Sequence, residues 1–329
     1  MKFVNSPFYA NAKKLGWVKL CFMLMVLCGS VNTFAAEFAE HRSEFSFSLN
    51  ERVVSFDSTF QMVLPGEELV IKFAAEKDLN NYELLGATIP LKSQAGIIRY
   101  LSPVKPGYYP LEVKNNSTGK SVQLHLFVLV PITQVKKGVL NAYKIGDYPP
   151  PHKGLEAYKA PLGYIEVYKE NESIQISPHF TLGQFLCKQQ SGYPKYLVLR
   201  PRLVEKLELF LADVNQQGIR TDSFVIMSGY RTPYYNRSIG NVSSSRHMYG
   251  GAADIYIDVN PVNVYMDDVN GDGKNNFQDA VFLYELADGL SRRYHREDLV
   301  GGLGKYQSNA NHGPFIHIDV RGSKARWSN

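Results

Sequence analysis

The chain has 329 residues, of which 44% are hydrophobic and 20% are charged. This length suits two domains with a core each, and the composition has no signature of disorder. The formal net charge of +5 falls to +1 when the first 35 residues, which contain four lysines and no acidic residue, are set aside. A nearly neutral remainder gives no reason to expect nucleic acid as a partner.

The first 35 residues have the order of a secretory signal peptide. Lys13, Lys14 and Lys19 precede an apolar run from Leu20 to about Val31, and small residues follow this run. About a dozen apolar residues are fewer than the roughly 20 that a membrane-spanning helix needs. We therefore expect residues 1–35 to be removed during secretion through the inner membrane. The mature chain would be periplasmic and would have no stable membrane span, with an uncleaved anchor as the alternative.

Residues 37–130 are predicted to form an all-β domain. Seven short segments alternate apolar and polar residues or are wholly apolar, and turns rich in proline, glycine or asparagine separate them. This pattern favours an immunoglobulin-like sandwich. The seven segments are EFSFSL, RVVSF, TFQMVL, ELVIKFAA, GIIRYL, YYPLEV and VQLHLFVLV.

The rest of the chain is predicted to be a linker followed by a second domain. Residues 131–175 are interpreted as the linker with connecting strands, because Pro149–Pro151 is a stiff, extended stretch. The second domain covers residues 176–329. In it, apolar residues at helical spacing predict a helix over Pro201–Gln217, and Phe224–Met227 has the pattern of a buried strand.

Two motifs in the second domain contain candidate metal ligands. His247 and Asp254 lie seven positions apart in the segment SRHMYGGAAD, where glycines permit a tight turn that brings the two side chains together. His317, in the segment FIHIDVRG, would be the third ligand. Two imidazole nitrogens and one carboxylate oxygen, with a fourth position left to water, are typical of a catalytic zinc site.

Residues 268–279, DVNGDGKNNFQD, have the spacing of a calcium-binding loop. A glycine occupies the sixth position, and an aspartate replaces the usual glutamate at the twelfth, so the loop resembles those of dockerin modules. We predict one structural calcium ion here, and a solvated turn without metal is the alternative. The predicted ligands are Asp268, Asn270, Asp272, Lys274 through its carbonyl, and Asp279.

Several motifs in order resemble the zinc D-alanyl-D-alanine carboxypeptidase and endopeptidase family. They are SGYRTPYYN from Ser228, SRHMYGGAADI from Ser245, GGLGKY from Gly301 and FIHIDVRG from Phe315. The branch that resembles the chain most has a final His-x-Asp motif. The resemblance implies a compact α+β domain with an antiparallel sheet, a single zinc ion, and cleavage of peptidoglycan peptide bonds that involve D-amino acids.

The same resemblance implies roles for individual residues. His247, Asp254 and His317 match the zinc ligands. Arg231 matches an arginine that holds substrate and polarises the scissile carbonyl, and Ser245 matches a serine that lines the site.

The general base is the point at which the sequence departs from the family pattern. The positions where relatives often place a base hold Pro314 and Phe315. His312 and Asp319 are the available substitutes, and Asp319 could instead orient a zinc ligand. A general base contributes roughly 10² to 10⁴ in rate.

Three functions remain open from the sequence. The first is a secreted zinc peptidase that acts on peptidoglycan, as a carboxypeptidase or an endopeptidase. The second is a non-catalytic cell-wall binding or scaffold protein that retains the metal site. The third is a calcium-regulated assembly module that docks a protein partner through residues 268–279, although no such partner is identified.

Overall fold

The computed structural model describes residues 38–74, 81–87, 92–94 and 96–329. The predicted signal peptide lies outside these residues. From Phe38 to Asn329 the chain forms one compact unit, so the division into a sandwich domain and a peptidase domain stays a prediction. Within the described ranges, no helix combines the length and the apolar character needed to cross a membrane.

Two sheets form the N-terminal part of the chain. Their strands are β1 Phe47–Leu49, β2 Arg52–Val53, β3 Ser58–Val63, β4 Glu68–Phe73, β5 Tyr82–Leu85, β6 Lys92–Gln94, β7 Ile97–Leu101, β8 Gly107–Asn115 and β9 Ser121–Val128. One sheet has the order β2-β1-β4-β7-β6 and the other the order β3-β9-β8-β5. Apolar side chains from both sheets share one core, as alternation along the strands predicts.

Each of the seven segments predicted in this region contains a strand. Strands β5 and β6 were not predicted, because both are short and the sequence of β6, Lys-Ser-Gln, contains no apolar residue. The pairing of β3 with β9 is parallel, unlike the other pairs of these two sheets. The immunoglobulin-like topology therefore stays a prediction.

The predicted linker contains short strands and single helical turns. Its strands and those that follow are β10 Val130–Pro131, β11 Val139–Leu140, β12 Tyr143–Lys144, β13 Gly163–Val167, β14 Gln175–Ser177, β15 Phe180–Thr181 and β16 Lys195–Leu197. They form a sheet of order β10-β13-β16 and two hairpins, β11-β12 and β14-β15. The 3₁₀ turns are Ile132–Gln134, His152–Gly154, Glu156–Tyr158, Lys169–Asn171 and Leu182–Phe185.

The C-terminal part combines four helices with one mixed sheet. The helices are α1 Pro201–Gln216, α2 Pro233–Ser238, α3 Phe277–Ala287 and α4 Leu290–Arg293, and 3₁₀ turns span Arg246–Tyr249 and Glu297–Leu299. The strands are β17 Val225–Ser228, β18 Ala252–Tyr256, β19 Gly302–Tyr306, β20 Phe315–Asp319 and β21 Ala325–Ser328. Their order is β17-β18-β20-β19-β21. The sheet is antiparallel, as expected, except where β21 pairs parallel to β19.

The N-terminal strands and the C-terminal part share buried contacts. Phe60 of β3 and Phe127 of β9 belong to the same core as α1 and the C-terminal sheet. Arg296 adds a polar contact, because it binds both carboxylate oxygens of Glu205 at 2.6 and 2.9 Å and also reaches the Ser55 hydroxyl at 3.2 Å. The predicted boundary near residue 130 therefore lies within a continuous packed region.

Candidate metal centre

The register of the C-terminal sheet aligns three polar residues in one row. Ser228 of β17 lies opposite Asp254 of β18, and Asp254 lies opposite His317 of β20. Directly opposed residues in antiparallel strands have neighbouring side chains on the same face. The sheet thus brings together two residues that are 63 positions apart in the chain.

A tight turn delivers His247 to the same place. The 3₁₀ turn Arg246–Tyr249 ends at Gly250, which has a left-handed φ of 64°. A Cβ at this position would lie 2.4 Å from the Val198 carbonyl oxygen, so both the backbone angle and the close packing require glycine. The chain then enters β18 only two residues later.

The three predicted ligands converge as a buried group. Their candidate ligand atoms all lie within 4.8 Å of one another. His247 Nε2 is 3.2 Å from Asp254 Oδ1 and 3.2 Å from His317 Nδ1, and His317 Nδ1 is 2.9 Å from Asp254 Oδ1. At most 6% of any of the three residues is exposed.

The outer nitrogens of the two histidines face hydrogen-bond acceptors. His247 Nδ1 donates to the Gly229 carbonyl oxygen at 2.7 Å, and His317 Nε2 donates to Asp319 Oδ2 at 3.1 Å. When both rings are neutral, these protons leave a lone pair on each inner nitrogen, and both lone pairs point toward the Asp254 carboxylate. Three converging electron-pair donors repel one another unless a cation lies between them, and this donor set fits zinc.

The ionisation of the group agrees with cation binding. Burial lowers the pKa of His247, which favours the neutral ring that a metal needs. Burial opposes ionisation of Asp254, but the two histidines hold the pKa of this carboxyl well below its usual range. Burial also acts against protonation of His317, yet Asp254 and Asp319 raise its pKa. A cation that replaces this proton would keep the charge of the group balanced.

Asp319 lies behind His317 and is fully buried. Its Oδ1 accepts from the Gly302 amide at 2.7 Å, and its Oδ2 accepts from Arg321 Nη2 at 2.5 Å as well as from His317. Although burial opposes ionisation, His317 and Arg321 hold the pKa of Asp319 well below its usual range. This arrangement suits a residue that orients His317.

Arg231 lies on the other side of the group. Its Nη2 donates to Asp254 Oδ2 at 2.6 Å and its Nε to the Ser228 hydroxyl at 2.8 Å. The guanidinium therefore binds the carboxylate oxygen that faces away from the histidines, and this bond leaves Asp254 Oδ1 for a metal.

A cavity of about 920 Å³ opens onto the group, and both remaining predicted site residues line it. Ser245 is buried at its edge. His312 lies on the wall, where its Nδ1 donates to the Gly313 carbonyl oxygen and its Nε2 accepts from the Asn309 amide, both at 2.8 Å.

The wall also contains residues that were not predicted as site residues from the sequence, among them Tyr158, Arg246 and Trp327. The Arg246 guanidinium carbon lies 4.5 Å from the Tyr158 ring centre, and the Trp327 ring lies 5.1 Å from that of His317. Tyr158 comes from the predicted linker and Trp327 from the last strand. Arg246 lies within the segment SRHMYGGAAD, between Ser245 and His247. This position between two predicted site residues could have marked it as a wall residue.

The predicted calcium loop forms turns closed by its own side chains. Asp268 Oδ2 accepts from the Gly273 amide at 2.7 Å, and the side chains of Asn270 and Asp272 accept from the amides two positions on, each at 2.9 Å. Asp279, in the first turn of α3, accepts from the backbone amides of Val269 and Asn276. The carbonyl oxygen of Lys274 accepts from the side-chain amide of Asn276 at 3.5 Å.

Within the described residues, His247, Asp254 and His317 are the one group of three or more histidine, cysteine or acidic side chains close enough together to hold a metal ion. Calcium binding at residues 268–279 therefore stays a prediction.

Comparison with known proteins gave one match. A family model described as Peptidase M15 matches residues 178–267, which include Arg231, His247 and Asp254, whereas His317 lies beyond the matched segment. Searches of curated proteins and of solved structures gave no match. Residues 178–267 are therefore similar to the peptidase M15 family.

Proposed function

We propose that this protein is a zinc-dependent peptidase that hydrolyses peptide bonds in peptidoglycan stem peptides or cross-links. The observation that carries the proposal is the convergence of His247, Asp254 and His317, with the outer nitrogen of each imidazole ring hydrogen-bonded to an acceptor. The match of residues 178–267 to the Peptidase M15 family model supports zinc peptidase chemistry. Peptidoglycan as the substrate, and the choice between carboxypeptidase and endopeptidase action, belong to the proposal.

The residues of this chain prepare the site in distinct ways. When bound, zinc supplies Lewis-acid activation of a carbonyl and of water. Asp319 orients His317, while Arg231 fixes Asp254 and presents a cationic group toward the cavity, where it can stabilise negative charge that develops on the substrate. Ser245 borders the substrate space.

For proton movement, the arrangement favours His312 over Asp319. Asp319 is fully buried and its oxygens already bind three groups, so it has no access to the cavity. His312 lines the cavity, and its Nε2 can exchange the Asn309 amide for a substrate proton. The base would then lie on the loop before β20.

The experiment that tests the proposal is digestion of purified muropeptides by the full chain with zinc, with a chelator, and with zinc restored. We expect smaller products that disappear with chelator and return with zinc. A His247→Ala variant is the control. Products identical to those of this control would contradict the proposal, and tight binding to peptidoglycan without turnover would favour the scaffold alternative.

The location and the calcium ion are separate proposals. We propose secretion with removal of residues 1–35, which the order of charged, apolar and small residues supports. Mass measurement of the protein from a periplasmic fraction tests it, and a full-length chain there would contradict it.

We also propose calcium at residues 268–279 on sequence spacing alone. A melting temperature that rises with calcium in the wild type but not in Asp268→Ala would support it.

A further inference from the structure

A second depression contains a concentration of cationic and polar groups. It has a volume of about 470 Å³, and its lining includes Lys144, Lys188, Gln189 and the partly exposed rings of Tyr193 and Tyr234. Across the described part of the chain, its lining contains no aspartate or glutamate. Two ammonium groups without a nearby carboxylate in the lining attract an anionic ligand.

The two lysines are differently held. Lys144 Nζ donates to the Tyr234 hydroxyl at 3.3 Å and lies 4.9 Å from the centre of that ring, so its ammonium is kept at the rim of the depression. Lys188 is exposed in part, and partial burial together with Arg231 lowers its pKa, while Asp254 acts in the opposite direction. Both lysines line the depression.

Shared lining residues link this depression to the active-site cavity. A third space of about 190 Å³ shares Lys188 with the second depression and shares Met227 and His312 with the active-site cavity. In the described residues, the active-site cavity is lined by three arginines and by a single acidic side chain, that of Asp254. The three spaces, here called the groove, therefore lie side by side, and cationic side chains in their linings outnumber acidic ones.

We propose that the second depression binds a carboxylate of an acidic peptide substrate through Lys144 and Lys188, while the scissile bond lies at the group formed by His247, Asp254 and His317. This inference rests on the proposed function, because it identifies the substrate class of the same site. An acidic peptide fits better than a neutral one because, in the described residues, two lysines and three arginines line the spaces against one aspartate. A peptide is also long enough to extend from one space to the next.

Kinetics with two matched peptides test the inference. The probes are a synthetic pentapeptide that ends in D-alanyl-D-alanine and contains one glutamate, and the same peptide with glutamine. In Lys144→Gln/Lys188→Gln, we expect KM for the glutamate peptide to rise about tenfold with little change in kcat, while KM for the glutamine peptide stays the same. The charge-matched control is Lys136→Gln/Lys137→Gln, two exposed lysines outside the groove, which should retain the preference for glutamate.

Peptide binding to the chelator-treated full chain, measured by fluorescence anisotropy, distinguishes failure of this inference from failure of the proposed function. Hydrolysis by the wild type with an equal effect of the lysine variant on both peptides would overturn the inference and leave the proposed function intact. Absence of hydrolysis would overturn the proposed function. In that case, loss of glutamate preference in binding by the lysine variant would still support the depression as a carboxylate site, and unchanged preference would overturn it.

Discussion

At the metal centre, the two histidines depend on different acceptors. The backbone carbonyl of Gly229 fixes His247, whereas a side chain, Asp319, fixes His317. A substitution can therefore weaken the orientation of one ligand without touching the other. Sequence spacing suggested a possible orienting role for Asp319, but the contacts of Gly302 and Arg321 with its carboxylate became visible only in the fold.

Asp319→Asn should lower zinc affinity by about 10- to 100-fold, because an amide accepts the His317 proton less strongly than a carboxylate. Competition with a chromophoric chelator measures the dissociation constant. Asp288→Asn is a suitable control, since it removes a carboxylate that binds Arg326 at 2.6 and 2.8 Å and contacts no ligand. Equal zinc affinity in wild type and Asp319→Asn would show that Asp319 does not orient His317.

Because the His125 side chain is mostly buried, the free energy of unfolding should fall in mild acid. Burial lowers its pKa from the ordinary value of 6.5 to about 4, so the unfolded chain takes up a proton first as the pH falls. Between pH 7 and pH 5 this costs about 2 kcal/mol of the free energy of unfolding. Urea denaturation at both pH values should show a smaller loss in His125→Gln than in the wild type. An identical loss in both proteins would count against the effect.

At the scale of elements, two short structures position the site. The turn at Gly250 delivers His247 to β18, and the register between β18 and β20 sets Asp254 beside His317. The glycines of SRHMYGGAAD predicted the turn. The register could not be predicted, because β20 lies 59 residues beyond β18 and the intervening helices contain no signal for pairing.

Gly250→Ala should destabilise the protein by more than about 2 kcal/mol, because it combines a left-handed backbone angle with a collision against the Val198 carbonyl. Gly218→Ala is the matched control. Gly218 also has a positive φ, of 84°, but its Cβ would meet nothing within 4 Å, so the cost should be about 1 kcal/mol. Chemical denaturation compares the two variants, and equal losses would show that the collision relaxes.

At the scale of the molecule, two hydrophobic clusters connect the parts of the chain. One cluster is confined to the two N-terminal sheets and contains Phe73, whereas the other joins Phe60 to α1 and the C-terminal sheet. The prediction of a linker after residue 130 was based on the proline-rich stretch Pro149–Pro151. Such a stretch does not indicate which segments of the chain pack against each other. Sequence alternation placed Phe60 inside a core without indicating which core.

Calorimetry of the protein should give one unfolding transition, because the second cluster spans both parts. Phe60→Ala and Phe73→Ala should each lower its midpoint, by an amount that corresponds to about 3–5 kcal/mol. The two residues are 2% and 1% exposed, so the comparison is between equally buried rings. Two transitions, with Phe73→Ala shifting only one of them, would instead establish two independent domains.

The sequence by itself determined the local elements and the chemistry of the ligands. Periodicity over a few residues predicts seven strands and α1, and residue types with motif order predict His247, Asp254 and His317 as candidate ligands, which the fold brings together. Only the tertiary structure decided which elements meet: the wall contributed by Tyr158, the buried contacts of Asp319, and the core shared through Phe60. The physical reason is that local patterns depend on neighbours along the chain, whereas these contacts depend on sheet register and packing between distant segments.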